Sequence, residues 1–154
     1  KMSAALPGTV IVKGTVLPRG GAFITPHFVD VTGQETDDEE IFGPVLQVSK
    51  VASFEAAIAQ ANNTRFGLAA GLISDDTALW DQFSRNIHAG VVNFNRPTTG
   101  ASGALPFGGP GGSGNHNPGA FYAADFCAWP LASQISDTLD FVPSTGMPAA
   151  EAAS

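Results

Sequence analysis

The spacing of hydrophobic and polar positions changes period several times along this chain, and each change marks an element. "TVIVKGTV" (9–16) is β-branched though poorly alternating, and "GAFITPHFVDV" (21–31) is similar, so both read as strands or extended segments. "GPVLQVSKV" (43–51) reads as a third strand. The period then lengthens: Phe54, Ala57, Ile58 and Ala61 share one face of "FEAAIAQANN" (54–63), with Ser53 placed to cap the helix. "GLAAGLIS" (67–74) returns as a small apolar strand. Asp75 or Asp76 can cap a second helix, "TALWDQFSRNIH" (77–88), in which Leu79, Trp80, Phe83 and Ile87 form the buried stripe. Gly90 suits the exit from that helix, and "VVNFN" (91–95) is another strand.

Residues 44–95 therefore read strand, helix, strand, helix, strand. That alternation predicts an α/β fold in which helices cross over a largely parallel sheet. The first thirty residues do not begin a convincing βαβ unit, so the chain is expected to start in mid-domain. From Arg96 to Pro118 the pattern stops, and "RPTTGASGALPFGGPGGSGNHNP" is a long loop. Loops of that length are uncommon in compact domains, and one that follows a strand's C-terminal end lies where α/β sheets bind ligands. "AFYAADFCAWPLAS" (120–133) predicts a short helix followed by a strand, and residues 138–154 a frayed tail.

Composition narrows the function classes. Of 154 residues 44% are hydrophobic, enough for a modest core, while 18 Gly and 11 Pro point to many ordered turns. Acids outnumber bases by 14 to 7, and a net charge of -7 argues against nucleic-acid binding, which needs clustered cations. No apolar run is long enough to cross a bilayer and the N-terminus lacks a signal-peptide core, so a soluble cytoplasmic protein is expected.

Few side chains point to chemistry by themselves. Gly109, Gly111 and Gly114 formally satisfy G-x-G-x-x-G, but Pro110 interrupts the motif and Gln134 stands where the fingerprint needs an acid. Those glycines read better as sites of close backbone packing or a tight loop. Cys127 lies among aromatics with no adjacent base and reads as a buried structural thiol. His27, His88 and His116 lack ligand spacing, so no metal is expected; His88 falls in the last turn of a helix, and only His116 is placed near a site. Glu39 and Glu40 precede an apolar strand in "DDEEIFGPVLQV". They are either a solvated guard for that strand or a grip held at a rigid edge.

"EEIFGPVLQV", "ANNTRFGLAAGLIS", "AGVVNFN" and "PFGGPGGSG" occur in the order found in the C-terminal part of the aldehyde dehydrogenase superfamily, and the chain resembles it from about Phe23 to Ser133. "SGNH-x-P" and "YAADFCAWP" are most similar to its NAD-dependent succinylglutamate semialdehyde dehydrogenase branch, which serves bacterial arginine catabolism. The resemblance implies that Glu40 holds the two hydroxyls of the nicotinamide ribose and that Phe42 packs near the nicotinamide ring, with NAD as cofactor. It implies a reaction in which a cysteine thiolate attacks the aldehyde, hydride passes to NAD, and a glutamate-activated water hydrolyses the thioester. The family nucleophile and base stand upstream of "EEIFGP" and have no counterpart here. The chain is therefore expected to be a C-terminal piece, inactive alone, with residues 1–137 in the catalytic region. The resemblance also places an oligomerisation strand at residues 126–134 and implies a homodimer or larger assembly. Asn117 departs from the branch, which carries Arg there. Arg96 then becomes the main cation for a dicarboxylate semialdehyde, with Thr98, Thr99, Phe107 and His116 as further substrate-side candidates. The competing interpretation is a non-catalytic α/β module for binding or oligomerisation.

Overall fold

The structure, a computed structural model, describes residues 6–138 and 145–146. The tail expected over residues 138–154 falls, apart from Thr138, Thr145 and Gly146, outside the described residues. Strands β1 (Thr9–Val12), β2 (His27–Asp30) and β3 (Val45–Val48) form one sheet, with β1 antiparallel to β2 and β2 parallel to β3. A parallel pair needs a long crossover, and here it is the helix-free stretch 31–44, which carries the acid run.

Helix α1 (Phe54–Asn62) begins where expected: the Ser53 hydroxyl accepts from the Ala56 N–H at 3.1 Å. Strand β4 (Ala69–Leu72), helix α2 (Ala78–Asn86) and strand β5 (Val91–Phe94) make a βαβ unit with β4 and β5 parallel. At the start of α2 the Asp76 carboxylate accepts from the Ala78 N–H at 2.9 Å, whereas Asp75 makes no such bond. The stripe on α2 is inward-facing, with Phe83 and Ile87 buried and Leu79 and Trp80 half-buried. Ile58 of α1 meets Phe83 and Ile87, and Ala70, Leu72 and Val92 pack against them from the strands. Burial of each such large side chain contributes about 1.5–3 kcal/mol.

The α/β class is as expected, but the described strands do not form one continuous sheet. The ladder of β3 runs to β2, from His27 opposite Val45 to Asp30 opposite Val48, while β4 pairs with β5. Two short strands, β6 (Pro106–Phe107) and β7 (Gly119–Ala120), pair antiparallel and clip the ends of the glycine-rich loop together.

The C-terminal part departs from expectation. Helix α3 (Ala123–Cys127) takes in Phe126 and Cys127, the first two residues of the strand expected at 126–134, and residues 128–134 join no ladder among the described residues. Pro130 lacks an N–H to donate, and no described strand lies alongside. Cys127 is exposed rather than buried, because α3 is short and buries none of its residues. His88 falls just past α2 instead of in its last turn, and its backbone N–H donates to Asn62 Oδ1 at 2.8 Å.

Candidate functional site

The acid run lies on the crossover between β2 and β3. Its firmly held member is Asp38: one carboxylate oxygen accepts from the Thr64 hydroxyl at 2.6 Å, the other from the Arg65 N–H at 2.7 Å. The Arg65 N–H first, then the Thr64 hydroxyl, hold this carboxyl below the usual range, because both bonds favour the charged form. Glu39 and Glu40 are exposed and make no hydrogen bond or ion pair with other described residues. Beyond them the chain is fixed again, since the Pro44 carbonyl accepts from the His27 N–H at 2.8 Å.

Glu40 and Phe42 open onto different clefts. Glu40 borders a cleft of about 370 Å³ with Thr64, Phe66, His88 and Ser113. Phe42, 86% exposed, borders an apolar one of about 280 Å³ with Val16, Ile24, Ile41 and Pro44. His27 also lines the second cleft. Its Nδ1 accepts from the Gly14 N–H at 3.0 Å, and its Nε2 is buried without a partner.

The substrate-side candidates follow β5. Asn95, at φ 51°, turns the chain out of the strand, and its amide bonds both backbone groups of Ser74. Asn93 Nδ2 donates to the Pro97 carbonyl at 2.7 Å and holds the start of the loop. Arg96, Thr99 and Phe107 then line one cleft of about 490 Å³, together with Gly90 and Val91, Val92 and Asn93 of β5. Arg96 makes no ion pair with the described carboxylates. Two candidates stand apart. Thr98 does not line this cleft: its methyl lies 3.1 Å from where a Cβ on Gly71 would stand, so it packs back onto β4. His116, at φ 66°, borders an adjoining cleft with Gly108, Gly109 and Pro110.

The glycines of the loop serve packing. A Cβ on Gly90 would lie 1.6 Å from the Gly108 carbonyl oxygen, and one on Gly109 would lie 2.3 Å from that of Gly67. The segment after Pro110 is a short 3₁₀ turn, Gly111–Ser113, and opens no long helix onto which a pyrophosphate would dock. Sequence reasoning missed Asp38 and Asn95. For Asp38 the signal was thin, because its partners lie 26 and 27 residues away; for Asn95, an Asn just past a strand is a turn signal that was available.

Residues 4–129 match the sequence profile of the aldehyde dehydrogenase family, and the chain belongs to that family. Among its relatives, N-succinylglutamate 5-semialdehyde dehydrogenase 2 of Caulobacter vibrioides is 56% identical over 144 residues, covering 90% of this chain and 30% of that protein. The N-succinylglutamate 5-semialdehyde dehydrogenase of Caulobacter sp. is 59% identical over 130 residues, covering 84% of this chain and 27% of that protein. Among solved structures, 1-pyrroline-5-carboxylate dehydrogenase from Thermus with bound NAD superposes with a TM-score of 0.60 at 36% identity, over 68% of this chain and 21% of that one. The chain thus spans under a third of the length of these relatives. No described helix is long and apolar enough to cross a membrane.

Proposed function

We propose that this chain is the C-terminal part of a cytoplasmic, NAD-dependent aldehyde dehydrogenase that oxidises N-succinylglutamate 5-semialdehyde to N-succinylglutamate in arginine catabolism. Residues 1–137 belong to its catalytic region. The observation that carries this is the similarity to the two Caulobacter enzymes over most of the chain. The site residues are compatible with it. Glu40 is an exposed carboxylate without a described partner, and one carboxylate can accept from both vicinal hydroxyls of a ribose. Phe42 presents an open aromatic face two residues on. NAD, when bound, supplies the hydride acceptor; the chain's part is to hold and orient it. Arg96, with Thr99 and Phe107 beside it, gives a cationic cleft suited to a carboxylate of the substrate, and Thr98 supports that loop from β4. His116 stands at the adjoining cleft as a further polar contact.

The nucleophilic cysteine and the general base belong to a part of the enzyme that this sequence does not contain. Residues 126–134 form an assembly segment, consistent with Trp129 at 91% and Leu131 at 87% exposure, and the complete enzyme is a homodimer or larger.

The test is the intact mass of the native protein together with its NAD-dependent turnover of N-succinylglutamate 5-semialdehyde. A longer chain with that activity, and no activity in the 154-residue chain alone, is the expected result. An NADH signal from the 154-residue chain that vanishes in Cys127→Ala would overturn it. Glu40→Gln in the complete enzyme is expected to weaken NAD binding by roughly tenfold or more, as for loss of a charged hydrogen-bond partner.

A further inference from the structure

The segment Glu39–Gly43 is tied down just beyond both ends. On the far side is the Pro44 carbonyl, bonded to the His27 N–H. On the near side is Asp38, the member of the acid run whose side chain bonds to another element. Its counterpart, the turn 64–67 between α1 and β4, is itself fixed. The Gly112 N–H donates to the Arg65 carbonyl at 2.7 Å, and the Gly67 N–H donates to the Ser113 hydroxyl at 3.0 Å. The Phe66 N–H donates to the Thr64 hydroxyl at 3.1 Å, and the Arg65 guanidinium lies 4.8 Å from the Phe66 ring centre.

We propose that Asp38 is a positioning residue for the cofactor-holding segment Glu40–Phe42, acting through its bonds to Thr64 and Arg65. The inference rests on the assignment of Glu40 to the nicotinamide ribose. Glu40 is two residues from Asp38, so its Cα stays within roughly 7 Å of the clamped Cα. It borders the same cleft as Thr64, Phe66 and Ser113, so Thr64, one of the two residues that hold Asp38, also lines the space Glu40 opens onto. Without the clamp the segment is tethered at its Pro44 end alone, and Glu40 loses its fixed reach. Asp38 would not touch the cofactor.

The experiment uses the native protein and the variants Asp38→Ala, Asp38→Asn, Thr64→Val and Glu40→Gln. Asp38→Ala is expected to raise KM for NAD by about fivefold while KM for the aldehyde moves less than about twofold. Asp38→Asn, which keeps an acceptor, and Thr64→Val, which keeps the Arg65 bond, should fall between it and the parent. Asp38→Ala added to Glu40→Gln should cost less than about twofold more, because both act on one contact. An Asp38→Ala variant that leaves KM for NAD unchanged while Glu40→Gln raises it overturns the proposal, as does an equal rise in both KM values. If Glu40→Gln itself changes nothing, the cofactor assignment fails. Amide exchange over residues 39–42 then judges the clamp alone: faster exchange in Asp38→Ala upholds it, and unchanged exchange overturns it.

Discussion

Asn95 and Ser74 form a reciprocal pair: the Asn95 Oδ1 accepts from the Ser74 N–H at 2.9 Å and its Nδ2 donates to the Ser74 carbonyl at 2.8 Å. This side-chain amide continues the β4–β5 ladder by one rung after the strands end, and the loop bearing Arg96 departs from it. Asn also tolerates the left-handed backbone that the turn requires. Asn95→Ala should therefore destabilise the protein by about 1–3 kcal/mol, through two lost bonds and a strained φ. Asn95→Gly removes the bonds but suits the φ, and should cost less than the Ala variant. Urea denaturation of the two variants separates the two causes.

Arg96 supplies the cation of the cleft after β5. Arg96→Ala in the complete enzyme should lower kcat/KM for N-succinylglutamate 5-semialdehyde by roughly tenfold or more, about 1.4 kcal/mol, and spare an uncharged aldehyde of similar length. Equal losses on both substrates would show that Arg96 only supports the loop.

Asp30 carries the clearest acid dependence. The Thr32 hydroxyl at 2.6 Å, then the Thr32 N–H, then Lys50 at 3.1 Å hold its carboxyl down to about 2 from an ordinary 3.8. A carboxyl depressed by folding stabilises the native state above its unfolded value, and the contribution fades as pH falls through the folded one. The stabilisation should thus be complete above about pH 3.8 and be lost between there and about pH 2. The difference in melting temperature between the parent and Asp30→Asn should shrink across that window. A constant difference would mean that the bonds carry no net linkage.

Gly90 has no room for a side chain, because a Cβ would meet the Gly108 carbonyl oxygen at 1.6 Å. Gly90→Ala must push the glycine-rich loop off β5 and should cost about 3 kcal/mol or more. Gly100, with open space around it, serves as the control even though its φ of +92° gives Ala there some strain. If the two Ala variants melt alike, the close packing of loop on strand is not what holds the cleft.

Phe83 is 6% exposed at the centre of the α1–α2 core, against Ile58 and Ile87. Phe83→Ala should destabilise by about 3–5 kcal/mol, the transfer loss plus the cavity left behind. Trp129→Ala, at a position 91% exposed, should leave the melting temperature of this chain nearly unchanged. A large loss at Trp129 would mean that the segment is packed in solution.

The local elements between residues 44 and 95 are written into the chain itself, because caps and hydrophobic period are encoded within a few residues of where they act. Ser53, Asp76 and the Phe83–Ile87 stripe were legible for that reason. Ordered motifs likewise sufficed to place the chain among aldehyde dehydrogenases. Strand pairing emerged from the folded chain alone, since β2 and β3 are joined by a helix-free crossover that carries no periodic signal. The fold also decided which member of "DDEE" is held. Four adjacent acids are chemically near-equivalent along the chain, and what distinguishes Asp38 is a pair of donors brought from the turn that follows α1. The separation of Thr98 and His116 from the Arg96 cleft has the same origin: the direction of a loop side chain is set by what packs behind it, here Gly71 for Thr98 and the Gly108–Pro110 backbone beside His116.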